Sequence, residues 1–196
     1  GYGRSFMNEL NGKWGVFDVA DCVAAARFLV SRGLADPERL AIKGGSAGGL
    51  TVLSALSNYD DFSAGSCRYG VADLEILAKD THKFESRYLD RLIGKYPEEK
   101  DVYIARSPIY QTDNIQSPMI ILQGSEDAVA PPTQSELIVN ALKLKGIRQA
   151  YDLFDGEGHG FRKSENIIKA LESEYSFFSQ IFRFEPFDDI NAVKIS

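Results

Sequence analysis

Leu40-Ala41-Ile42-Lys43-Gly44-Gly45-Ser46-Ala47-Gly48-Gly49-Leu50 is the stretch from which the fold is read. The run Leu40 to Ile42 is short and apolar, as a buried strand is, and Leu50 to Leu56 has the composition of an apolar helix. Between them Gly44-x-Ser46-x-Gly48 is the Gly-x-Ser-x-Gly pattern of a nucleophile elbow, a strained strand-to-helix turn that carries a serine. Side chains flanking so tight a turn are expected to collide, which makes Gly44 and Gly48 small for a steric reason. The Ser46 hydroxyl is then presented at the strand's carboxyl end, with the free amides of the helix N-terminus behind it. The N–H of Ala47 is placed to donate to an oxyanion. Small residues between strand and helix can also be no more than a tight connection. The reading therefore needs a base and an acid elsewhere in the chain.

Working upstream, apolar residues recur at Val19, Val23, Ala26 and Val30 with a helical period over about Val16 to Arg32, and Gly33 follows as a cap. Asp36-Pro37 turns the chain into the strand at 40–43. Working downstream, Ser66 to Val71 reads as a second strand. Residues 73–112 are charged and aromatic with weak periodicity, and read as short helices crossing the sheet end as a lid or pocket wall. Pro118 to Gln123 is a third strand, apolar on both faces as central parallel strands are. Thr133-x-x-Glu136 reads as a capping box opening a helix with Leu137, Ile138, Ala141 and Leu142 inward. Gln149 to Phe154 makes a fourth strand. A last helix, Glu165 to Phe182, is expected to bury Ile167, Ile168, Leu171, Tyr175, Phe178 and Phe182. Residues after Pro186 read as a loose tail. Strands alternating with helices imply an α/β fold: a parallel sheet with helices on both faces and active groups at the strands' carboxyl ends.

Bulk properties exclude several function classes. At 196 residues the chain is one domain, and 44% hydrophobic with 26% charged residues is an ordinary globular composition. A net charge of −6 argues against nucleic acid or an anionic membrane as the main partner. No apolar run approaches the ~20 residues of a membrane span. No signal peptide opens the chain, and Gly1-Tyr2-Gly3-Arg4, without an initiator Met, reads as a loop interior to a domain. Cys22 and Cys67 read as buried free thiols, and so low a cysteine count points to a cytoplasmic setting. No spacing of His, Cys, Asp or Glu suggests a metal site. Gly44-Gly45-x-x-Gly48-Gly49 lacks the Gly-Lys-Ser/Thr ending of a phosphate loop, so no cofactor is expected.

The base and the acid are found in two further loops at the same end of the sheet. Asp127 follows the third strand, in Gly124-Ser125-Glu126-Asp127, and His159 follows the fourth, between Gly158 and Gly160. Serine is a poor nucleophile unaided. His159 would take its proton and return it to the leaving group, while Asp127 fixes the imidazole tautomer. Asp127 is preferred to its neighbour Glu126 as the shorter, less mobile acid, and the glycines about His159 would let its loop approach the elbow. His82 has no motif around it. Phe84, Tyr88 and Tyr103 are candidates to line an apolar pocket for the residue before the cut.

Gly1-Tyr2-Gly3-Arg4-Ser5-Phe6, Trp14-Gly15-x-x-Asp18, the elbow, Gln123-Gly124-x-x-Asp127 with Pro131-x-x-Gln134-Ser135, and Gly156-Glu157-Gly158-His159-Gly160-Phe161 occur in this order. Together they resemble the catalytic domain of the prolyl oligopeptidase family of serine peptidases, nearest its acylaminoacyl-peptidase and dipeptidyl-peptidase-like branches. The resemblance runs from residue 1 to about 184 and makes residues 1–185 the C-terminal part of an alpha/beta-hydrolase domain, with 186–196 a tail. It implies Ser46 as nucleophile, Asp127 as acid and His159 as base, and hydrolysis of short peptides or acyl-amino-acid bonds. Two features of the family are missing: its β-propeller, and the first half of its hydrolase domain with a second oxyanion donor. Ala130 stands where the family commonly has Val. A small-ester esterase shares the fold and the triad, and a chain with an incomplete site would serve only as a structural or association module. The strand at 40–43 would then be a bare sheet edge, open to a preceding part of a longer polypeptide or to a second copy.

Overall fold

The computed structural model describes residues 1–80 and 87–196. The chain opens with α1 (Gly3–Asn8) and α2 (Phe17–Ser31), then enters the sheet through β1 (Ala41–Gly45), α3 (Ala47–Asn58) and β2 (Ala64–Arg68). Short helices α4 (Leu74–Asp80), α5 (Tyr88–Leu92) and α6 (Lys100–Arg106) and a 3-10 segment at Pro108–Asn114 follow. The order closes with β3 (Met119–Gly124), α7 (Pro132–Leu144), β4 (Gln149–Phe154) and α8 (Ser164–Phe182). The four strands are parallel and neighbour one another in chain order, β1-β2-β3-β4.

Alternation along the strands sends side chains to two cores. On one face, Ile42, Cys67, Met119 and Ile121 meet Val52, Leu53 and Leu56 of α3, Ile138 and Leu142 of α7, and Val19 and Val23 of α2. On the other, Ala64, Ile120, Leu122, Ala150 and Phe154 meet Ala170 and Phe177 of α8. Every residue of β3 is buried, as its place in the sheet interior requires. A third cluster, including Trp14, Leu50, Val71, Leu74 and Leu92, joins the N-terminal segment to the short helices. Among the described residues of 73–112, Leu77 of α4 and Tyr88, Leu89 and Leu92 of α5 line a cavity.

Several local expectations are corrected. β1 continues through Gly44 and Gly45, which stay in the ladder opposite Cys67 and Arg68. β2 ends three residues early, because the chain leaves the ladder at Tyr69 (φ 37°) and Val71 joins the third cluster. No capping box opens α7: Pro131 is its N-cap, with Pro132 supplying the fixed φ of a first turn. Leu137 lies on the outer side of that helix. Cys22 is exposed, whereas Cys67 is buried; both are free.

The largest correction concerns α8. Ile167, Ile168, Leu171 and Tyr175 are 38–56% exposed, while Ala170, Ser173, Glu174, Ser176 and Phe177 face inward. Glu174 decides this orientation. Its carboxylate accepts from Ser66 Oγ at 2.6 Å, Lys43 Nζ at 2.6 Å and Arg68 Nη2 at 3.1 Å. Partners on β1 and β2 thus let a charged residue take the sheet-facing side, and small neighbours let the helix close on it.

Nor is the tail loose. Ser196 exchanges two backbone hydrogen bonds with Gln149 (3.0 and 2.8 Å), while Val193 and Ile195 pack on the α8 core. The tail therefore covers part of the β4 edge. β1 stands at the other edge of the sheet, with no strand beyond it among the described residues.

Candidate active site

The serine turn is strained as its motif requires. Ser46 has φ 56° and ψ −120°, outside the regions a side chain ordinarily allows, and α3 begins at the next residue. Its N–H donates to the Arg68 carbonyl at 3.0 Å and its carbonyl accepts from Gly49 N at 2.9 Å, so the turn is held from both sides. The steric demand is distributed differently from the sequence expectation. A Cβ on Gly44 would lie 2.4 Å from the Gly48 carbonyl oxygen, yet one on Gly48 would meet nothing within 4 Å. Gly49 is the second crowded position, since its Cβ would lie 2.5 Å from Gly70 Cα. Ala47, opening α3, has an N–H with no acceptor inside the helix.

Ser46, His159 and Asp127 meet in a line. His159 Nε2 lies 2.7 Å from Ser46 Oγ, and His159 Nδ1 lies 2.9 Å from Asp127 Oδ2. The other carboxylate oxygen of Asp127 accepts from the N–H groups of Val129 (2.9 Å) and Ala130 (2.8 Å). Burial alone would raise the Asp127 pKa. The hydrogen bond from His159 and those from the Ala130 and Val129 N–H groups outweigh it, and the group is held below its ordinary 3.8. Glu126 is exposed, and its N–H donates to the Glu157 carbonyl.

Two buried side chains brace these loops; both stand in the motifs quoted above, but the sequence assigns neither a role. Gln123 donates through Nε2 to the Ala130 carbonyl (3.0 Å) and lies 3.4 Å from Asp127 Oδ2, its amide oriented by Ser135 Oγ at 2.7 Å. Glu157 accepts from Arg162 N, Lys163 N and Asn166 Nδ2, each at 2.9 Å, folding the histidine loop on itself. The Asn166 bond comes first among the contacts that hold the Glu157 carboxyl below its ordinary range. The close approach between loops falls at Gly124, whose Cβ would lie 2.4 Å from the Glu157 carbonyl oxygen. Gly158 has no comparable crowding, while Gly160 is needed for φ 92°.

Ser46, Ala47 and His159 form part of the wall of a cavity of about 490 Å³, otherwise lined by apolar groups that include Leu10, Trp14, Val71 and Leu92. Tyr88 lies on this wall. Tyr103 does not: it is wholly buried, and its hydroxyl donates to the Gly94 carbonyl at 2.6 Å. Burial pushes that phenol up to about 12. Phe84 and His82 lie outside the described residues. The Trp14 wall is clamped from two directions. Asp18 accepts from Gly15 N and Thr51 Oγ1, both at 2.7 Å, while Arg106 donates to the carbonyls of Trp14 (3.1 Å) and Gly12 (2.9 Å). The Trp14-Gly15-x-x-Asp18 motif was the available signal for this wall. Among the described residues no three His, Cys, Asp or Glu gather to hold a metal, and no helix is long and apolar enough to cross a membrane.

A parallel sheet covered on both faces, with a serine elbow after one strand, an acid after the third and a histidine after the fourth, has the architecture of an alpha/beta-hydrolase. The profile of the prolyl oligopeptidase family matches residues 1–185, and the chain belongs to that family. It is 31% identical over 172 residues to dipeptidyl aminopeptidase BIII of Pseudoxanthomonas mexicana, covering 85% of this chain and 25% of that protein. It is 32% identical over 187 residues to dipeptidyl peptidase family member 6 of Caenorhabditis elegans, covering 92% and 25% respectively. A solved puromycin-hydrolyzing peptidase of Mycobacterium tuberculosis superposes with a TM-score of 0.96 at 45% identity, covering 100% of this chain and 30% of that one. The chain thus spans about a quarter of the length of these two curated relatives.

Proposed function

We propose that this chain carries the reaction centre of a serine peptidase that hydrolyses short peptides or acyl-amino-acid bonds through an acyl-enzyme. The observation that carries the reading is the unbroken line Ser46 Oγ–His159 Nε2 and His159 Nδ1–Asp127 Oδ2, at 2.7 and 2.9 Å, beside an apolar cavity. In this mechanism Ser46 Oγ attacks the substrate carbonyl as its proton passes to His159 Nε2. Asp127, ionised and buried, keeps the proton on Nδ1 and stabilises the imidazolium. The Ala47 N–H faces the oxyanion. His159 returns its proton to the leaving amine, which departs. Water, deprotonated by the same imidazole, then releases the acyl group and restores Ser46.

The cavity wall supports an apolar or aromatic side chain on the acyl side of the cut, with Trp14, Val71 and Leu92 as its contacts. Aromatic aminoacyl amides, puromycin among them, are therefore the first substrates to try. The test is labelling by a fluorophosphonate, comparing the chain with Ser46→Ala, followed by matched amides and esters. Labelling abolished by Ser46→Ala supports the reading. Equal labelling of both refutes it, and turnover of esters alone would favour an esterase.

A second proposal concerns partners. The bare edge of β1, whose Lys43 shares a surface groove with the exposed apolar residues Leu171 and Tyr175 of α8, favours pairing with further β-structure. The greater length of the relatives favours a further segment of a longer polypeptide over a second copy. Hydrogen exchange at those Ala41–Gly45 amides that point away from β2 tests this. Protection should appear in a longer chain and stay low in the isolated one at any concentration.

A further inference from the structure

We propose that Tyr69 is a positioning residue for His159, its ring holding the imidazole in line between Ser46 and Asp127. This rests on the triad reading above, but the observations are separate from it. Tyr69 follows β2 with φ 37°, a left-handed conformation that is rare for any side chain and an outlier for an aromatic one. Its N–H donates to the Leu122 carbonyl at 2.8 Å, and its predecessor Arg68 accepts the Ser46 N–H at 3.0 Å. Strained backbone of this kind persists only where the surroundings over-determine it.

What the conformation achieves is visible in the ring. Its centroid lies 5.0 Å from that of His159 at 61°, and 5.4 Å from that of Phe161 at 90°. Phe161 in turn lies 4.5 Å from Phe154, which is 2% exposed in the α8 core. A line of rings therefore runs from the sheet to the imidazole. Room for it is made at Gly45, the residue before the serine, where a Cβ would lie 2.9 Å from Tyr69 Cε2. A glycine, a strained tyrosine and two phenylalanines together place one ring edge against His159.

The chemistry explains why the ring is needed. The imidazole makes one hydrogen bond through each nitrogen, so a swing about its side-chain torsions breaks both. Once Nε2 is protonated it must aim at the leaving group instead of drifting towards solvent, and small misplacements at this step are expensive in rate. Tyr69 is absent from the cavity wall, so its effect should fall on kcat and leave KM alone.

The experiment uses the chain in a His82→Gln background, so that one histidine gives the imidazole nitrogen NMR signals. Tyr69→Phe keeps the ring. Tyr69→Leu removes it, and Tyr69→Gly removes it while suiting the positive φ, so that at least one ring-less variant folds. Expected are a single, sharp Nδ1–H resonance in the parent and in Tyr69→Phe, and its loss or splitting in folded Tyr69→Leu and Tyr69→Gly. Fluorophosphonate labelling should fall about ten- to a hundredfold in the ring-less variants and stay within about twofold in Tyr69→Phe. An unchanged Nδ1–H resonance in a folded ring-less variant overturns the proposal, as does an equal loss in Tyr69→Phe. If the resonance follows the ring but the parent fails to label, the positioning role stands and the peptidase reading falls.

Discussion

A side chain on Gly44 would place its Cβ 2.4 Å from the carbonyl oxygen of Gly48, across the turn that holds Ser46. The Cβ would be fixed to the backbone of β1 and the oxygen belongs to the backbone of α3, so neither side can give way cheaply. Gly44→Ala should therefore cost about 3 kcal/mol or more in denaturant unfolding and abolish fluorophosphonate labelling. Gly48→Ala is expected to behave oppositely. Its Cβ meets nothing, and alanine in a first helical turn gains about 0.5–1 kcal/mol over glycine. A destabilised Gly48→Ala would show that both glycines of the motif are steric after all.

Asp127→Asn tests the tautomer argument. The substituted side chain can still accept from Val129 and Ala130 through its carbonyl oxygen, so the loop should fold. Its amide would face His159 Nδ1 and force that nitrogen to accept. The proton then moves to Nε2, where it points at Ser46 Oγ and cannot take the hydroxyl proton. Turnover should fall roughly 10³–10⁴-fold with little change in KM. A loss under about tenfold would mean that Asp127 does not set the tautomer.

Glu174 should shape the acid limb of stability. Burial alone would raise its pKa, but the hydrogen bonds from Lys43 and Ser66 and the charge of Arg68 hold it below its ordinary 4.5. A depressed native pKa contributes stability that is fully present above the unfolded value and is lost as pH falls through the native one. Unfolding free energy should therefore decline below about pH 4.5. Glu174→Gln should start about 1–3 kcal/mol lower at neutral pH and decline less on acidification. Parallel acid limbs for the two proteins would show that another carboxylate is responsible.

What was legible in the sequence was whatever the chain marks with glycine or with uninterrupted apolar runs. Ser46, Asp127 and His159 each stand in a glycine-bearing loop after a strand, and β3 and β4 were placed within a residue because their boundaries carry turn signals. Periodicity failed on α8, because it cannot know that Glu174 will find Ser66, Lys43 and Arg68 on the sheet. Without those partners the apolar stripe at Ile167, Ile168, Leu171 and Tyr175 is the natural inner face. Tyr88 and Tyr103 look alike as letters, yet one lines the cavity and the other donates to Gly94 in the core. Tyr69 gave no signal at all, since its role depends on a backbone angle and on a gap at Gly45.

The C-terminal segment gives the last prediction. Ser196 pairs with Gln149 at the start of β4, and Val193 is tied to α8 by its N–H to Ser176 Oγ (2.9 Å) and its carbonyl from Gln180 Nε2 (2.9 Å). Val193 and Ile195 are only partly buried, so each contributes about 1 kcal/mol through apolar burial. Ending the chain at residue 192 should therefore lower unfolding free energy by about 2 kcal/mol and leave a length of β4 edge without its partner. The histidine loop leaves the opposite end of that strand, at Phe154, and its braces at Glu157 and Gln123 do not involve the tail. Labelling of Ser46 by the fluorophosphonate should then stay near the parent's rate while the denaturant midpoint falls. A midpoint unchanged by the truncation would mean that the segment contributes nothing to stability. A loss of labelling in a truncated chain that remains folded would instead connect the β4 edge to the reaction centre.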